Sequence, residues 1–293
     1  MGARDSIGAA GAASPPQESG REYEFHARDF ERVRSLIYDL AGIRLGENKQ
    51  NMVYSRLSRR LRTLRIPSFA QYLDRLEGEP RFRDEELQEF INALTTNLTS
   101  FYREAHHFPV LADFLSGRRE APPRLWCAAA STGEEVYTIA MTMFEAAGGG
   151  DPGALIATDI DTKVLETAAR GTYKLDAIRP CGDERMRRWF LRGKGANEGM
   201  ARVRPELARI VQFERLNLLE DGWPQLDAFA QKLDAVFCRN VMIYFDKATQ
   251  RDILRRIAPR IRTGGLLFVG HSENFTDCRD LFVLRGKTVY QRT

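Results

Sequence analysis

The chain has 293 residues, 43% apolar and 29% charged, with a net charge of +4, a composition that suits a soluble globular protein with one large domain and a small one. No run reaches the ~18 apolar residues of a membrane span, so membrane insertion is not expected. The four cysteines (Cys127, Cys181, Cys238, Cys278) lie far apart without a CxxC pair and the four histidines are scattered, which argues against structural zinc and a disulfide framework.

Residues 1–21 are rich in Gly, Ala, Ser and Pro and read as a disordered tail without a signal-peptide core. MGARDS fits the loose N-myristoylation pattern through Gly2 and Ser6, a pattern too common to build on. Residues 22–95 are expected to form a small helical domain of four short helices. Its apolar stripes are Phe30–Val33–Ile37–Leu40, Val53–Leu57–Leu61–Leu64, Phe69–Tyr72–Leu73–Leu76 and Leu87–Phe90–Ile91–Leu94, broken at Gly42–Gly46, Pro67 and Gly78–Pro80. Between Lys49 and Arg65 the second helix carries Arg56, Arg59, Arg60 and Arg62 with no acidic residue. Either it is a solvated face or it docks an acidic partner, nucleic acid or protein helix. Single-stranded nucleic acid is disfavoured because only Tyr54 interleaves the arginines.

Residues 96–123 form a linker. Its run Asn97-Leu-Thr-Ser-Phe-Tyr-Arg103 is either a capped loop or a lid presenting Asn97, Thr99 and Arg103 to a site, and a short helix and the proline-containing stretch Glu120–Arg124 follow. From 124 to 293 strands and helices alternate. Strands are expected at Arg124–Ala128, Ala154–Asp159, Ile210–Asn217, Leu233–Arg239 and Leu266–Val269, with a terminal hairpin of Phe282–Leu284 and Thr288–Tyr290. Helices are expected after Ser131, over Asp161–Arg170 and over Lys247–Arg262, the last capped by Asp246 and ended by Gly264-Gly265. This predicts an α/β fold, a doubly wound parallel sheet with an antiparallel edge. Residues 181–210 interrupt the alternation as an insertion. Trp189-Phe-Leu and Met200-Ala-Arg-Val there could pair around the glycine-rich turn Arg192–Gly199. Cys127 and Cys238 fall in apolar strand-like runs, as reduced buried thiols of a cytosolic protein would.

In such a sheet the ligand lies at the carboxyl ends of the strands, where Glu134, Asp159, Asn217 and Asn240 follow four successive strands. An acid ending the second strand is placed to accept both hydroxyls of a ribose. The loop AAASTGEE lacks both GxGxxG and GxxxxGK[ST] and offers acid instead. That disfavours a dinucleotide or ATP and suits a phosphate-free cationic nucleoside, S-adenosylmethionine.

The motifs Asn97–Arg103, Ala129-Ala-Ser-Thr-Gly-Glu-Glu135, Ala157-Thr-Asp-Ile-Asp161, Phe237–Asp246 and Gly270-His-Ser-Glu-Asn274, occurring in this order, closely resemble the CheR family of chemotaxis receptor methyltransferases. The resemblance runs from residue 22 to the C-terminus. It implies an S-adenosylmethionine-dependent enzyme, without a metal, that forms glutamyl methyl esters on transmembrane chemoreceptors and releases S-adenosylhomocysteine. It further implies a cytoplasmic monomer recruited to receptor arrays for adaptation. Carried over by motif, Asn97, Thr99, Arg103, Glu134, Asp159, Asn217, Leu218, Arg239 and Asn240 would surround the cofactor, and Arg103 and Tyr244 would flank methyl transfer. Arg56, Arg59, Arg60 and Arg62 would meet receptor helices. Residues 181–210 resemble the family's β-subdomain, and the turn carrying Arg192, Gly193, Gly195 and Gly199 resembles the form that grips a receptor C-terminal tether peptide.

A glutamate side chain, with a pKa of about 4.3, is its own nucleophile near neutral pH, so the lack of a triad-like base is no obstacle. Two rivals stand beside this reading. A nucleic-acid methyltransferase would use the arginine-rich helix, although the expected prolines are absent from Asn240-Val-Met-Ile-Tyr244. A non-catalytic scaffold that binds the cofactor and docks on receptors is the other.

Overall fold

The computed structural model describes residues 21–117, 121–227 and 232–293. The tail expected over 1–21, including Gly2 and Ser6, therefore lies outside the described residues apart from Arg21, as does Glu120 at the start of the proline-containing stretch.

Four helices open the chain: α1 (Ala27–Ala41), α2 (Gln50–Leu64), α3 (Phe69–Gly78) and α4 (Pro80–Leu94). Ser68 caps α3 by accepting from the Gln71 N–H, a contact that stabilises a helix by about 1 kcal/mol. Pro80 occupies the first turn of α4, where a missing N–H costs nothing. The stripes read from the sequence converge as one core in which Val33, Ile37, Val53, Leu57, Phe69 and Phe90 are fully buried.

The arginines of α2 do not share one open face, which corrects the sequence reading. Arg60 turns inward, where it forks onto Glu86 at 2.8 and 2.6 Å and meets Glu89 at 3.1 Å. Arg56 donates to the carbonyls of Ala93 (3.4 Å) and Thr95 (2.5 Å) at the end of α4. Arg62 pairs with Glu22 at the surface. Arg59 and Arg62 are the exposed members of the four.

After α5 (His107–Ser116), the chain lays down β1 (Arg124–Cys127), α6 (Glu134–Ala147), β2 (Ala154–Asp159), α7 (Thr162–Arg170), β3 (Thr172–Lys174) and the short α8 (Leu175–Ile178). Then follow α9 (Gly182–Trp189), β4 (Phe190–Arg192), β5 (Met200–Val203), α10 (Pro205–Ala208) and β6 (Val211–Arg215). Last come β7 (Leu233–Phe237), α11 (Lys247–Ile257), β8 (Ile261–Phe268), β9 (Phe282–Gly286) and β10 (Val289–Arg292). The seven-stranded sheet has the order β6-β2-β1-β7-β8-β10-β9, parallel except where β10 pairs with β8 and β9. Its strand order reverses between β1 and β7, which places a crevice at their carboxyl ends. Alternate residues of β1 enter different cores: Leu125 and Cys127 pack with Ile139 and Met143 of α6, while Trp126 packs with Ile253 and Ile257 of α11. Both faces are buried, as a parallel sheet requires.

The largest departures from the expected boundaries lie at α11 and β8. The helix begun by Asp246, which accepts from the Thr249 N–H as expected of a cap, ends at Ile257 rather than Arg262. Pro259 has no N–H to give and its ring clashes with a carbonyl one turn back. Freed from the helix, Ile261 already starts β8, so Gly264 and Gly265 lie inside a strand, beside a register shift between Leu233 and Ala235. Within the 181–210 segment, β4 and β5 pair as the sequence suggested, and β3 from outside it completes a three-stranded sheet in the order β3-β5-β4. Gly193 closes the turn between them, and a Cβ there would lie 1.9 Å from the Asn197 carbonyl oxygen. Among the described residues, no helix is long and apolar enough to cross a membrane.

Candidate functional site

The crevice at the switch point opens into a cavity lined by Asn97, Thr99, Arg103, Asp159, Asn217, Leu218, Arg239, Asn240 and Tyr244. The helical region supplies Arg44, Lys49 and Met52 to the same wall. Of the expected cofactor residues, Glu134 alone is not in the lining; its carboxylate accepts from Thr132 Oγ1 at 2.6 Å. The acid facing the cavity is its neighbour Glu135. The signal was present in the helix period, since Glu135 lies on the buried stripe of Ile139 and Met143 and Glu134 does not.

Asp159 ends β2 and is 8% exposed. Its Oδ2 accepts from the Ser131 N–H (2.8 Å) and its Oδ1 from the Asp161 N–H (3.0 Å). Burial pushes its carboxyl up to about 6, against the pull of these backbone donors. Asp161 caps α7 and anchors the incoming loop, for its Oδ2 accepts from Thr95 Oγ1 (2.6 Å) and Asn97 Nδ2 (2.8 Å). The Asn97 carbonyl in turn accepts from Ser131 Oγ at 2.9 Å. Asn217 is equally engaged: its Nδ2 donates to the Leu40 carbonyl (2.8 Å) and its Oδ1 accepts from the Leu219 N–H (3.0 Å). Gln88 donates to the Ile160 carbonyl (2.8 Å), and Tyr38 to Asp246 (2.9 Å). The cavity wall is thus stitched from both regions of the chain.

At the other end stands Arg239, with a fully buried side chain. It donates to Glu135 Oε2 (2.7 Å) and the Arg103 carbonyl (2.7 Å) and lies 3.3 Å from Glu104 Oε2. Its Nε has no hydrogen-bond partner among the described residues. Burial raises the Glu135 carboxyl despite Arg239 beside it. Burial would raise Glu104 too, but Arg239 and the hydrogen bonds of His271 and Asn240 outweigh it and hold that carboxyl at about 2. The sequence does not single out Glu104, and it leaves Glu135 undecided beside Glu134. Glu104, His106 and His107 also offer atoms at metal-ligand separations, but the Glu104 charge is already answered by Arg239, and no metal is assigned there.

The arrangement fits S-adenosylmethionine on chemistry alone. Asp159 sits where a ribose would place its hydroxyls, Glu135 brings negative charge suited to a sulfonium, and Arg103 and Arg239 bring positive charge suited to a carboxylate.

Comparison with known proteins agrees. The model of the CheR methyltransferase SAM binding domain matches residues 97–291, and that of the CheR methyltransferase all-alpha domain matches residues 28–95. The chain belongs to the CheR methyltransferase family. It is similar to chemotaxis protein methyltransferase 2 of Pseudomonas aeruginosa, 50% identical over 278 residues that cover 94% of this chain and 96% of the relative. The chemotaxis protein methyltransferase of Salmonella typhimurium is 52% identical over 263 residues, covering 89% and 88% of the two chains. The protein of that name from Escherichia coli is 51% identical over 263 residues, 89% of each chain. As a CheR family member, the protein is an S-adenosylmethionine-dependent methyltransferase, and the α/β sheet preceded by an all-helical region is the architecture expected from the sequence.

Proposed function

We propose that this enzyme methylates glutamate side chains on cytoplasmic helices of transmembrane chemoreceptors, giving glutamyl methyl esters and S-adenosylhomocysteine. The observation that carries the proposal is the shared wall: α2 and the turn before it bring Met52 and Lys49 to the cavity that holds Arg103 and Tyr244. A partner helix docked on α2 therefore arrives at the mouth of the cofactor site. The names of the three relatives support the same substrate class.

Bound S-adenosylmethionine supplies a methyl group on a positively charged sulfur. Asp159 would hold its ribose, and Arg103 with Arg239 its amino-acid carboxylate. The cavity lining contains no histidine or cysteine, and none is needed, because the substrate carboxylate is ionised near neutral pH. What the chain contributes is alignment and the exclusion of water. Arg103 Nη1 donates to the Leu98 carbonyl at 2.9 Å, which fixes one side of the guanidinium. A tight pair there would draw charge from the attacking oxygen. Arg103 and Tyr244 orient the substrate in this scheme.

Asp159 gives the binding step a pH dependence. Hydroxyl donors favour its ionised form, so the cofactor lowers a carboxyl that stands at about 6 in the free protein. Affinity is expected to fall as pH drops from 7 to 5, with proton release on binding near pH 6. Titration calorimetry in buffers of different ionisation enthalpy reads both, and an Asp159→Asn variant should bind more weakly with a flat profile across that window.

Arg59 and Arg62 are the arginines of α2 that face outward for an acidic partner. Arg56 and Arg60, expected on the same surface, serve the helical core instead. The edge strand β4, carrying Arg192 beside Gly193, is open to pairing with an extended tether peptide, and the turn through Gly195 and Gly199 flanks it. Recruitment to receptor arrays, with the enzyme acting as a monomer, is part of the same proposal. Radiolabelled cofactor offered with receptor-containing membranes or with RNA tests it: label in membrane protein is expected, and label in RNA instead would sink the assignment. Arg59→Glu should lower receptor labelling about tenfold, one like-charge contact in place of an attractive one, with cofactor affinity unchanged. Arg60→Ala should instead cost about 3 kcal/mol of stability by stranding buried Glu86. Binding of peptides copied from receptor C-termini tests the tether separately.

A further inference from the structure

The motif Gly270–Asn274 contributes nothing to the cavity lining, yet it lies directly behind it. Glu273, 4% exposed, sends its Oε2 to the backbone N–H groups of Gly270 (2.5 Å) and Asn240 (3.0 Å). Two backbone donors from different strand ends thus meet on one carboxylate oxygen, and the other, Oε1, has no hydrogen-bond partner among the described residues. No arginine, lysine or histidine is paired with Glu273 among the described residues.

The segment anchored in this way begins at Asn240 and leads to Tyr244. Asn240 has a φ of +58°, a left-handed conformation that needs outside support. Tyr244 ends the tight turn Met242–Tyr244, whose N–H groups follow that of Val241. Gly270 must be small for this to work, because a Cβ on it would lie 2.4 Å from Asn240 Nδ2. From the opposite side Glu104 Oε1 accepts from the His271 N–H (3.2 Å) and lies 3.4 Å from Asn240 Nδ2.

We propose that Glu273 is a positioning residue for methyl transfer: its carboxylate fixes the Asn240–Tyr244 turn and so sets how Asn240 and Tyr244 enter the cavity. This rests on the reading of that cavity as the cofactor and transfer site. The carboxamide of Glu273→Gln keeps an acceptor oxygen for both N–H groups but removes the charge that strengthens the two hydrogen bonds.

The test compares the wild-type enzyme with Glu273→Gln and Glu273→Asp, reading cofactor affinity, kcat, thermal melting and amide hydrogen exchange. Glu273→Gln is expected to weaken S-adenosylmethionine binding about tenfold and to lower kcat, the consequence of two weakened charge-assisted hydrogen bonds. Exchange should quicken at Asn240–Ile243 and stay unchanged in the helical region. Glu273→Asp, which keeps the charge on a shorter stem, should fall between. A folded Glu273→Gln enzyme with wild-type affinity, kcat and local exchange overturns the proposal. If that variant does not fold, Glu273→Asp decides, and wild-type values for it are equally fatal. A wild-type enzyme that fails to bind the cofactor would defeat the cavity assignment instead, and the exchange comparison would still judge the clamp.

Discussion

Arg239→Met is expected to abolish cofactor binding and to lower the unfolding free energy by about 3–5 kcal/mol, the cost of breaking a buried ion pair from one side. The side chain it removes is wholly buried, and both carboxylates it answers, Glu135 and Glu104, are almost so. Without the guanidinium, two acids face each other in low dielectric and at least one must take up a proton. The sign of the pH effect follows from Glu104, whose carboxyl is held at about 2. A depressed carboxyl stabilises the fold above its unfolded pKa, about 4.3, and that stabilisation is lost as pH falls from there through 2. The gap between wild type and variant should therefore be widest at neutral pH and narrow towards pH 3. Denaturant unfolding at both pH values reads it, and a gap independent of pH would show that packing, not charge, is what Arg239 supplies. Adding Glu135→Gln to the variant should recover part of the loss, since the stranded charge is then gone.

Arg103→Ala should behave in the opposite way, costing activity and little stability. Its side chain is partly exposed and makes one hydrogen bond, to the Leu98 carbonyl. The contact that matters to the buried network comes from its backbone carbonyl, which accepts from Arg239 and survives the substitution. Methyl transfer is expected to fall about a hundredfold, the scale of a misaligned reacting pair, with melting close to wild type. Activity near that of the wild type would remove Arg103 from the site.

The elements were legible where period and punctuation agreed. The leucine stripes of α2 and α3, the strand from Ala154 to Asp159, and the Asp246 cap all follow from spacing of neighbours in sequence. Pro259 was just as legible and outweighs the glycines that follow it, because a missing N–H ends a helix where it stands. What could not be read was pairing across the chain. Arg60 looks like its neighbour Arg59 until α4 packs Glu86 and Glu89 against it. Glu104 follows Arg103 in sequence, and its role depends on Arg239 and His271, which are brought to it by two different strand ends. Of the candidate site, residues at strand ends could be named because topology forces them together. The charges that hold them there could not.

The threads that join Asp161 to Thr95 and Asn97, and Asn217 to Leu40, have a consequence for how the enzyme responds to substitution. Asp161 is tied through its own N–H to Asp159, so the residue offered to the ribose and the one that fastens the helical region belong to one hinge point. A substitution that loosens the seam at Thr95 would thereby reach the carboxylate offered to the ribose, and a change at Asp159 would reach the seam.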